Sequence, residues 1–223
     1  MGKMKKTPEL TFTPLQKFIF DKFAKTPLTR QFYFTGGTAL SAVYLHHRES
    51  EDLDFFSEEG LEMEGIEQFI GDTAKSKNLE IRFTQRERTK IFELLRDKKV
   101  EIKVDFAHYP YKRLKTGTKI GPVAVDSLRD IATNKLHTIT ARTEVKDFVD
   151  LYFLLKEFTL WDLIYGVEEK FNIELDLLWL GTDFLKVSQF DYLPKMLVPL
   201  KLSDLQEFYK DLAKKLGKKV IRE

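Results

Sequence analysis

The sequence has no cysteine among its 223 residues. This absence excludes disulfide bonds and metal sites built on thiolate ligands, and it leaves the redox compartment of the protein undecided. Long hydrophobic runs are missing too: no apolar stretch approaches the roughly 20 residues of a membrane span, and the basic segment Met1–Lys6 precedes no apolar signal core. We therefore expect a soluble, cytoplasmic protein that has no membrane partner.

An excess of one charge sign is missing as well. The 37 lysines and arginines nearly balance the 35 aspartates and glutamates, which leaves a formal net charge of +2. This balance argues neither for nor against a nucleic-acid partner, because a local basic patch can lie on a nearly neutral protein. The segment Tyr109–Lys119 contains such a patch, in which Tyr109 and Tyr111 precede four basic residues, although a solvated loop would have the same composition.

The chain is long enough, with 43% hydrophobic residues, to bury one sizeable core or two small ones. Its patterns change near residue 125. Residues 1–125 mix helical and strand periodicities, whereas residues 126–223 are helical apart from expected breaks near Gly181 and Pro194–Pro199. We therefore predict an N-terminal domain of residues 1–125 and a helical domain of residues 126–223.

The most informative stretch joins a glycine turn to a pair of aspartates. A short buried strand leads into Gly36-Gly37-Thr38 at the start of a helix, where free backbone N–H groups can bind phosphate oxygens. Asp52 and Asp54 open the next strand and point to the same face, which suits a metal ion. Either motif alone is common in turns and at strand ends. Together, one helix apart, they predict a nucleotide site.

A third carboxylate lies on a later predicted strand, residues 99–106, in which apolar and polar residues alternate. The apolar side is formed by Val100, Ile102, Val104 and Phe106, and the polar side by Glu101, Lys103 and Asp105. Asp105 is therefore expected on an exposed or site-lining face near the end of the strand. Three carboxylates on one sheet face favour a catalytic site over unrelated surface charges.

Lys135 is an unexpected residue in its helix. The predicted helix Ser127–Ala141 has one apolar face, and Lys135 falls in the middle of it. A lysine there has to extend to solvent, pair with a carboxylate or reach an anionic ligand. The next predicted helix, Val145–Leu155, is apolar almost all round yet carries Asp147 and Asp150. Charges on a buried helix usually have partners.

The ordered set Gly36-Gly37-Thr38, Asp52-x-Asp54 and Asp105 resembles the nucleotidyltransferase superfamily related to DNA polymerase beta. More narrowly, the chain resembles the AbiEii/AbiGii toxin family of nucleotidyltransferases. This narrower resemblance is carried by residues 36–40, residues 48–56, Lys103-Val104-Asp105-Phe106, Ile131-x3-Lys135 and Arg142-x3-Lys146-Asp147-x2-Asp150-Leu151. It covers roughly residues 15–155 and implies an α/β (α+β) core with a mixed sheet, followed by a C-terminal helical domain.

The resemblance implies a role for each residue of the nucleotide site. Asp52 and Asp54 would hold two Mg²⁺ ions, and Asp105 would bind the second ion and favour deprotonation of the acceptor hydroxyl. Gly36-Gly37-Thr38 would bind the β- and γ-phosphates of a nucleoside triphosphate (NTP). The enzyme would transfer a nucleoside monophosphate (NMP) to the acceptor and release pyrophosphate.

Further charged residues are assigned by the same resemblance. Lys135 would reach the phosphates from the helical domain, and Asp150 would complete the site or orient Lys135 and Arg142. Asp147 has two open interpretations: it would complete the site or orient Lys135 and Arg142 as Asp150 would, or it is a carboxylate that the helix dipole favours in the first turn of a helix. Arg48, next to the metal ligands, would contact phosphate or hold its loop.

A serine and two histidines near the glycine turn complete the predictions. Ser50 belongs to the nucleotide-binding set, where its hydroxyl would cap backbone N–H groups or serve as a site of self-modification. His46 and His47 follow the end of a helix and are expected at the surface.

The expected function is a Mg²⁺-dependent nucleotidyltransferase that acts as the toxin of an abortive-infection or toxin–antitoxin system. Its expected acceptor is an RNA, first of all the 3′ end of tRNA, and a separately encoded antitoxin would be its partner. A small molecule, as in enzymes that adenylylate aminoglycosides, or a protein is the alternative acceptor, since fold does not determine the acceptor. A non-catalytic nucleotide-binding or antitoxin-like module is a further alternative, which the presence of all three carboxylates disfavours.

Overall fold

The computed structural model describes residues 11–220. Within them the chain forms two compact units. The first unit contains residues 11–46, 50–110 and 119–125, and the second contains residues 47–49, 111–118 and 126–220. The fold is α+β, with a mixed sheet in the first unit and helices in the second. None of the helices in this part of the chain is long and apolar enough to cross a membrane.

The first unit is built around a mixed sheet, which has seven strands in the described part of the chain. Its helical elements are α1 (Pro14–Phe23), a 3-10 turn (Pro27–Arg30), α2 (Gly36–Ala39), which continues as a π-helical turn (Leu40–Leu45), and α3 (Met63–Lys77). Its strands are β1 (Tyr33–Thr35), β2 (Leu53–Ser57), β3 (Glu80–Arg86), β4 (Thr89–Arg96), β5 (Lys99–His108), β6 (Lys119–Ile120) and β7 (Val123–Val125). They lie in the order β3-β4-β5-β2-β1-β7-β6. The pairs β1–β7 and β2–β5 are parallel, and the other neighbours are antiparallel.

Helix α1 begins at Pro14 because its first turn is capped. The Thr13 hydroxyl accepts a hydrogen bond from the Gln16 N–H at 3.2 Å, and the Gln16 side chain accepts one from the Thr13 N–H at 2.9 Å. This reciprocal capping box satisfies two N–H groups that the helix itself cannot pair. Pro14 in the first turn adds a preset φ angle.

Stacked aromatic rings fix the strands that carry the carboxylates. Phe55 of β2 and Phe106 of β5 are Cα partners, and their ring centroids lie 5.3 Å apart. Phe23 of α1 stacks on Phe55 at 4.0 Å, and all three rings are fully buried. Since successive residues of a strand point to opposite faces, this core places Asp54 and Asp105 on the other face of the sheet.

The second unit consists of helices. They are α4 (Leu128–Ala141), α5 (Val145–Leu154), α6 (Leu160–Phe171), α7 (Leu177–Leu185), a 3-10 turn (Lys186–Gln189) and α8 (Leu202–Val220). The expected break at Pro194–Pro199 is confirmed, but the one near Gly181 is wrong. Gly181 lies inside α7, where a Cβ atom would stand 3.7 Å from the Ala213 carbonyl oxygen of α8. Packing against α8 outweighs the low helix propensity of this glycine.

Candidate active site

The glycine turn and the three carboxylates come together on the sheet of the first unit. Asp54 of β2 is the Cα partner of Thr35 on β1 and of Asp105 on β5. Residues paired directly across neighbouring strands point to the same face, so these three residues form a row. Asp52 lies beside the row, because one ammonium group, that of Lys103, contacts both Asp52 and Asp105.

Gly36 and Asp54 are so close that only glycine fits at the turn. The φ angle of Gly36 is +75°, a left-handed conformation that residues with a side chain rarely adopt. A Cβ atom at this position would stand 2.0 Å from Asp54 Oδ2. The Asp54 carboxylate therefore lies directly against the backbone at the start of α2, which brings the predicted phosphate turn and a predicted metal ligand into contact.

The Thr38 hydroxyl holds the segment that leads to Asp52. It is buried, donates a hydrogen bond to the Asp52 carbonyl and is hydrogen-bonded to the Ser50 hydroxyl at 2.9 Å. The Ser50 carbonyl in turn accepts a hydrogen bond from Gln16 Nε2 at 2.7 Å. These bonds give Thr38 and Ser50 a positioning role, while their contact with a nucleotide stays a prediction.

A lysine that sequence reasoning did not assign to the site lies among the carboxylates. Lys103 Nζ is 3.4 Å from Asp52 Oδ2 and 3.3 Å from Asp105 Oδ2. Burial lowers the pKa of Lys103, but the carboxylates of Asp105, Asp52 and Asp54 outweigh it, so the pKa is raised. The available signal is the alternation of β5, which places Lys103 two residues from Asp105 on the same face.

The carboxylate row suits a hard divalent cation in its chemistry. Asp54 and Asp105 present oxygen donors from paired strands, and Mg²⁺ prefers such donors. Among residues 11–220, however, no three acidic, histidine or cysteine side chains are grouped so that they alone could hold a metal ion. Mg²⁺ is commonly bound by one or two carboxylates plus substrate phosphates and water. The residues present therefore fit Mg²⁺ as a partial ligand set that a nucleotide would complete.

The second unit buries a separate network of charges centred on Asp150. This carboxylate is fully buried and accepts hydrogen bonds from His47 Nε2 at 2.8 Å and from Arg48 Nε at 2.7 Å, with Lys135 Nζ 2.6 Å away. Burial alone raises the pKa of Asp150, but the Lys135 and Arg48 cations, with the hydrogen bonds of His47 and Arg48, hold it well below its usual range. Since an ionised carboxylate can only accept, His47 Nε2 carries the shared hydrogen.

Asp147 joins the same network from the first turn of α5. Its carboxylate accepts hydrogen bonds from Lys135 Nζ at 2.7 Å and from Arg142 Nε at 2.8 Å. Burial raises the pKa of Asp147, and the Lys135 and Arg142 cations outweigh this and lower it. Of the three options expected for Lys135, the structure shows pairing with carboxylates. The expectation that the charges of this buried helix have partners is confirmed.

The expectation that His47 lies at the surface is wrong. Its side chain is fully buried, and its ring centroid lies 5.0 Å from that of Phe153. His46, at the end of the π-helical turn, is half-buried. Local patterns miss the burial of His47 because its partner Asp150 is 103 residues away in the chain. The sequence offers one indirect signal, since His47 is next to Arg48, a residue that the resemblance assigns to the site. In the structure both side chains bind the Asp150 carboxylate.

Comparison with known proteins shows the family of this chain. A family model described as "Nucleotidyl transferase AbiEii toxin, Type IV TA system" matches residues 17–217. The chain belongs to the AbiEii family of nucleotidyltransferase toxins. The predicted resemblance, the fold class and the assignment as an enzyme, a nucleotidyltransferase, are thereby confirmed.

This AbiEii-family enzyme has relatives that match most of its length. It is 30% identical over 150 residues to an uncharacterized protein of Aquifex aeolicus, a match covering 66% of this chain and 68% of the relative. The structure of JHP933 from Helicobacter pylori has a TM-score of 0.55 at 19% identity, covering 93% of this chain and 91% of that one. The nucleotidyltransferase toxin MenT4 of Mycobacterium tuberculosis has a TM-score of 0.50 at 14% identity, covering 89% and 82%. These structural likenesses concern the fold.

Proposed function

We propose that this AbiEii-family enzyme transfers an NMP from an NTP to an RNA, with the 3′ end of tRNA as the first candidate acceptor. The observation that carries the proposal is the row of Asp54 and Asp105 on paired strands, with Asp54 against the backbone of Gly36. A phosphate turn in contact with a metal-binding carboxylate is what transfer of a nucleotidyl group requires, because the reaction mainly needs positioning and charge neutralisation.

This geometry supports the following roles for residues of the first unit. Asp52, Asp54 and Asp105 would hold two Mg²⁺ ions, which supply charge stabilisation to the attacking and leaving oxygens when bound. The N–H groups of Gly36-Gly37-Thr38 would bind the β- and γ-phosphates. Asp105, 13% exposed in its side chain, would favour removal of the proton from the acceptor hydroxyl. Thr38 and Ser50 would keep the backbone of Asp52 in place.

The charge network of the second unit would prepare Lys135 for an anionic ligand. Asp147 and Asp150 hold its ammonium group at 2.7 Å and 2.6 Å, so the side chain is oriented before any ligand binds. Burial lowers the pKa of Lys135, but Asp150 and Asp147 outweigh this and raise it, which keeps the group charged. Arg48 and Arg142 would fix the two carboxylates and add positive charge for that ligand.

An RNA acceptor is supported by an exposed basic segment, residues 111–118. It carries Lys112, Arg113 and Lys115, all exposed, within a stretch that has no acidic residue between residues 105 and 126. The segment is fixed rather than loose, because the Asp130 carboxylate accepts hydrogen bonds from the N–H groups of Leu114 at 2.8 Å and Lys115 at 3.0 Å. A fixed cluster of cations suits the phosphates of a nucleic acid.

Asp130 itself is firmly held. Its carboxylate is fully buried and pairs with Lys170 Nζ at 2.7 Å and with the Ser127 hydroxyl at 2.6 Å. Burial raises the pKa of Asp130, but the hydrogen bonds from Lys170 and Ser127 outweigh this and lower it. The basic segment is thus anchored by an ionised group of the second unit, which supports a binding surface rather than a solvated loop.

The experiment that tests the proposal follows the label from each of four α-labelled NTPs, with Mg²⁺, in a mixture of total RNA, protein and small metabolites. We expect the label in RNA, and at least about 100-fold less with Asp54→Asn. The matched control is Asp72→Asn, an exposed aspartate of α3. Label in a small molecule or in protein would support those acceptors instead. Tight NTP binding without transfer would support a non-catalytic module.

A second experiment tests the toxin role and the partner. Expression of the wild-type chain in a bacterial cytoplasm is expected to arrest growth, whereas Asp54→Asn is expected to leave growth unchanged at equal protein level. Co-expression of a neighbouring gene that restores growth would identify the antitoxin. Arrest by Asp54→Asn equal to that by the wild type would separate toxicity from nucleotide transfer.

A further inference from the structure

The lysine among the site carboxylates is bound in an unexpected way. Lys103 of β5 is the Cα partner of Glu93 on β4, and opposite charges in this position normally pair across the strands. Instead, Lys103 Nζ lies 3.4 Å from Asp52 and 3.3 Å from Asp105. Glu93 pairs with Arg82 of β3. The ammonium group is therefore directed to the site, although another carboxylate lies opposite it.

The position of this ammonium group has an electrostatic consequence. Asp52, Asp54 and Asp105 place three negative charges close together, and like charges disfavour one another. Lys103, with a side chain 30% exposed, neutralises part of this repulsion. A divalent cation bound by the same oxygens would be repelled by the ammonium charge, because like charges a few ångströms apart repel each other even where solvent screens them in part. The lysine has a flexible four-carbon stem, so its head can move aside.

We infer that Lys103 is the resident counter-ion of the three site carboxylates, Asp52, Asp54 and Asp105: it positions Asp52 and Asp105 and weakens the affinity of the site for a divalent cation. This inference rests on the proposed function, because it assumes that the row holds the metal. Lys103 is a positioning residue in this account, since it acts through the carboxylates. A purely structural ion pair would stabilise the fold and leave metal affinity unchanged.

The test uses Mn²⁺ as the probe and the full chain as the protein. Binding is followed by the loss of the free Mn²⁺ paramagnetic resonance signal, and thermal unfolding is measured in EDTA and in excess Mn²⁺. Lys103→Met removes the charge and keeps an apolar stem, and Lys103→Arg keeps the charge. The matched control is Lys99→Met, an exposed lysine at the start of the same strand.

Lys103→Met is expected to bind Mn²⁺ about three- to tenfold more tightly than the wild type, because one repelling charge has gone. Its melting temperature in EDTA should fall, and the rise on adding Mn²⁺ should be larger than in the wild type. Lys103→Arg and Lys99→Met should both keep the affinity of the wild type. In transfer assays, Lys103→Met should reach half-maximal rate at a lower Mg²⁺ concentration.

Unchanged or weaker Mn²⁺ binding by a folded Lys103→Met chain would overturn the inference. If that chain unfolds, Lys103→Gln takes its place with the same expected direction. The variant Asp54→Asn distinguishes failure of the Lys103 role from failure of the proposed metal site. If Asp54→Asn weakens Mn²⁺ binding while Lys103→Met does not tighten it, only the role of Lys103 fails. If Asp54→Asn leaves Mn²⁺ binding intact, the proposed metal site itself fails.

Discussion

The carboxylate of Asp54 lies in the space that a side chain at Gly36 would need, with Oδ2 2.0 Å from the position of a Cβ atom. The glycine turn and the aspartate pair are therefore one structural feature, although 17 residues separate them in the chain. The contact explains why the turn uses glycine on two grounds, the φ angle of +75° and the lack of room. A substitution at Gly36 is therefore expected to displace the Asp54 side chain, and a substitution at Asp54 is expected to affect the turn at Gly36.

Gly36→Ala is expected to reduce NMP transfer by at least about 100-fold while the chain still folds. The left-handed conformation costs an alanine about 1–2 kcal/mol, and the methyl group must displace the Asp54 carboxylate from the row. The measurement is the transfer rate together with the melting temperature. The control is Gly71→Ala in α3, where a Cβ atom would meet nothing within 4 Å. That control should be neutral or stabilise by up to about 1 kcal/mol, and full activity of Gly36→Ala would contradict the assignment.

Thr38→Val keeps the volume of the side chain and removes the hydrogen bond from its hydroxyl to the Asp52 carbonyl. We expect a loss of about 0.5–1.5 kcal/mol in the free energy of unfolding and weaker Mn²⁺ binding, because Asp52 is no longer held. Thr38→Ser, which retains the hydroxyl, should restore the Mn²⁺ affinity. If Thr38→Val binds Mn²⁺ normally but binds NTP weakly, the hydroxyl contacts phosphate instead.

Local patterns predicted those parts of the fold that local interactions determine. Helices α4 and α5 lie within one residue of their predicted bounds, and the opposite faces of β2 follow from the alternation of Leu53 and Phe55 with Asp52 and Asp54. This alternation places Asp52 and Asp54 on one face of the sheet whichever strands pair with β2. Which strands pair is a long-range property, so neither β7 nor its parallel contact with β1 was predicted.

Charged residues in apolar patterns predict that a buried partner exists, but they do not identify the partner. Lys135 on an apolar helix face predicted a partner, and Asp147 and Asp150 on an apolar helix predicted the same, but the pattern did not show that they would pair with each other. His47 was missed for the related reason that its burial depends on Asp150, far along the chain. A sequence shows that a buried charge needs compensation, whereas only the fold shows which group compensates it.

The Asp150 network predicts a defined dependence of stability on pH. The pKa of Asp150 is lowered in the folded chain, while an aspartate in an unfolded chain has a pKa of about 3.9. Folding therefore favours the ionised form, and this contribution is fully present above about pH 3.9 and is lost as the pH falls from there toward the lower folded pKa. Unfolding by urea between pH 3 and pH 7 should show the loss.

Asp150→Asn should destabilise the chain by about 3–5 kcal/mol at pH 7, because the buried Lys135 and Arg48 lose their shared carboxylate. The difference from the wild type should narrow as the pH falls, since the unfolded wild-type chain then takes up a proton on Asp150 while the folded chain keeps the carboxylate ionised. Exposed Asp72→Asn should change stability by less than about 0.5 kcal/mol. A constant difference between Asp150→Asn and the wild type at every pH would show that the carboxylate acts through shape and not through charge.

The basic segment predicts a salt-dependent contribution to RNA binding. Lys112→Ala combined with Lys115→Ala should leave the melting temperature unchanged, because both side chains are exposed, and should weaken the binding of labelled tRNA. If each lysine contacts one phosphate, the slope of log K against log salt should fall in magnitude by about 0.7–0.9 per lysine. The matched control replaces Lys214 and Lys215, two exposed lysines of α8. Equal tRNA affinity and equal salt slope in both double variants would assign the acceptor surface to another part of the chain. A loss of tRNA affinity specific to the Lys112 and Lys115 variant would support an RNA acceptor independently of the transfer reaction.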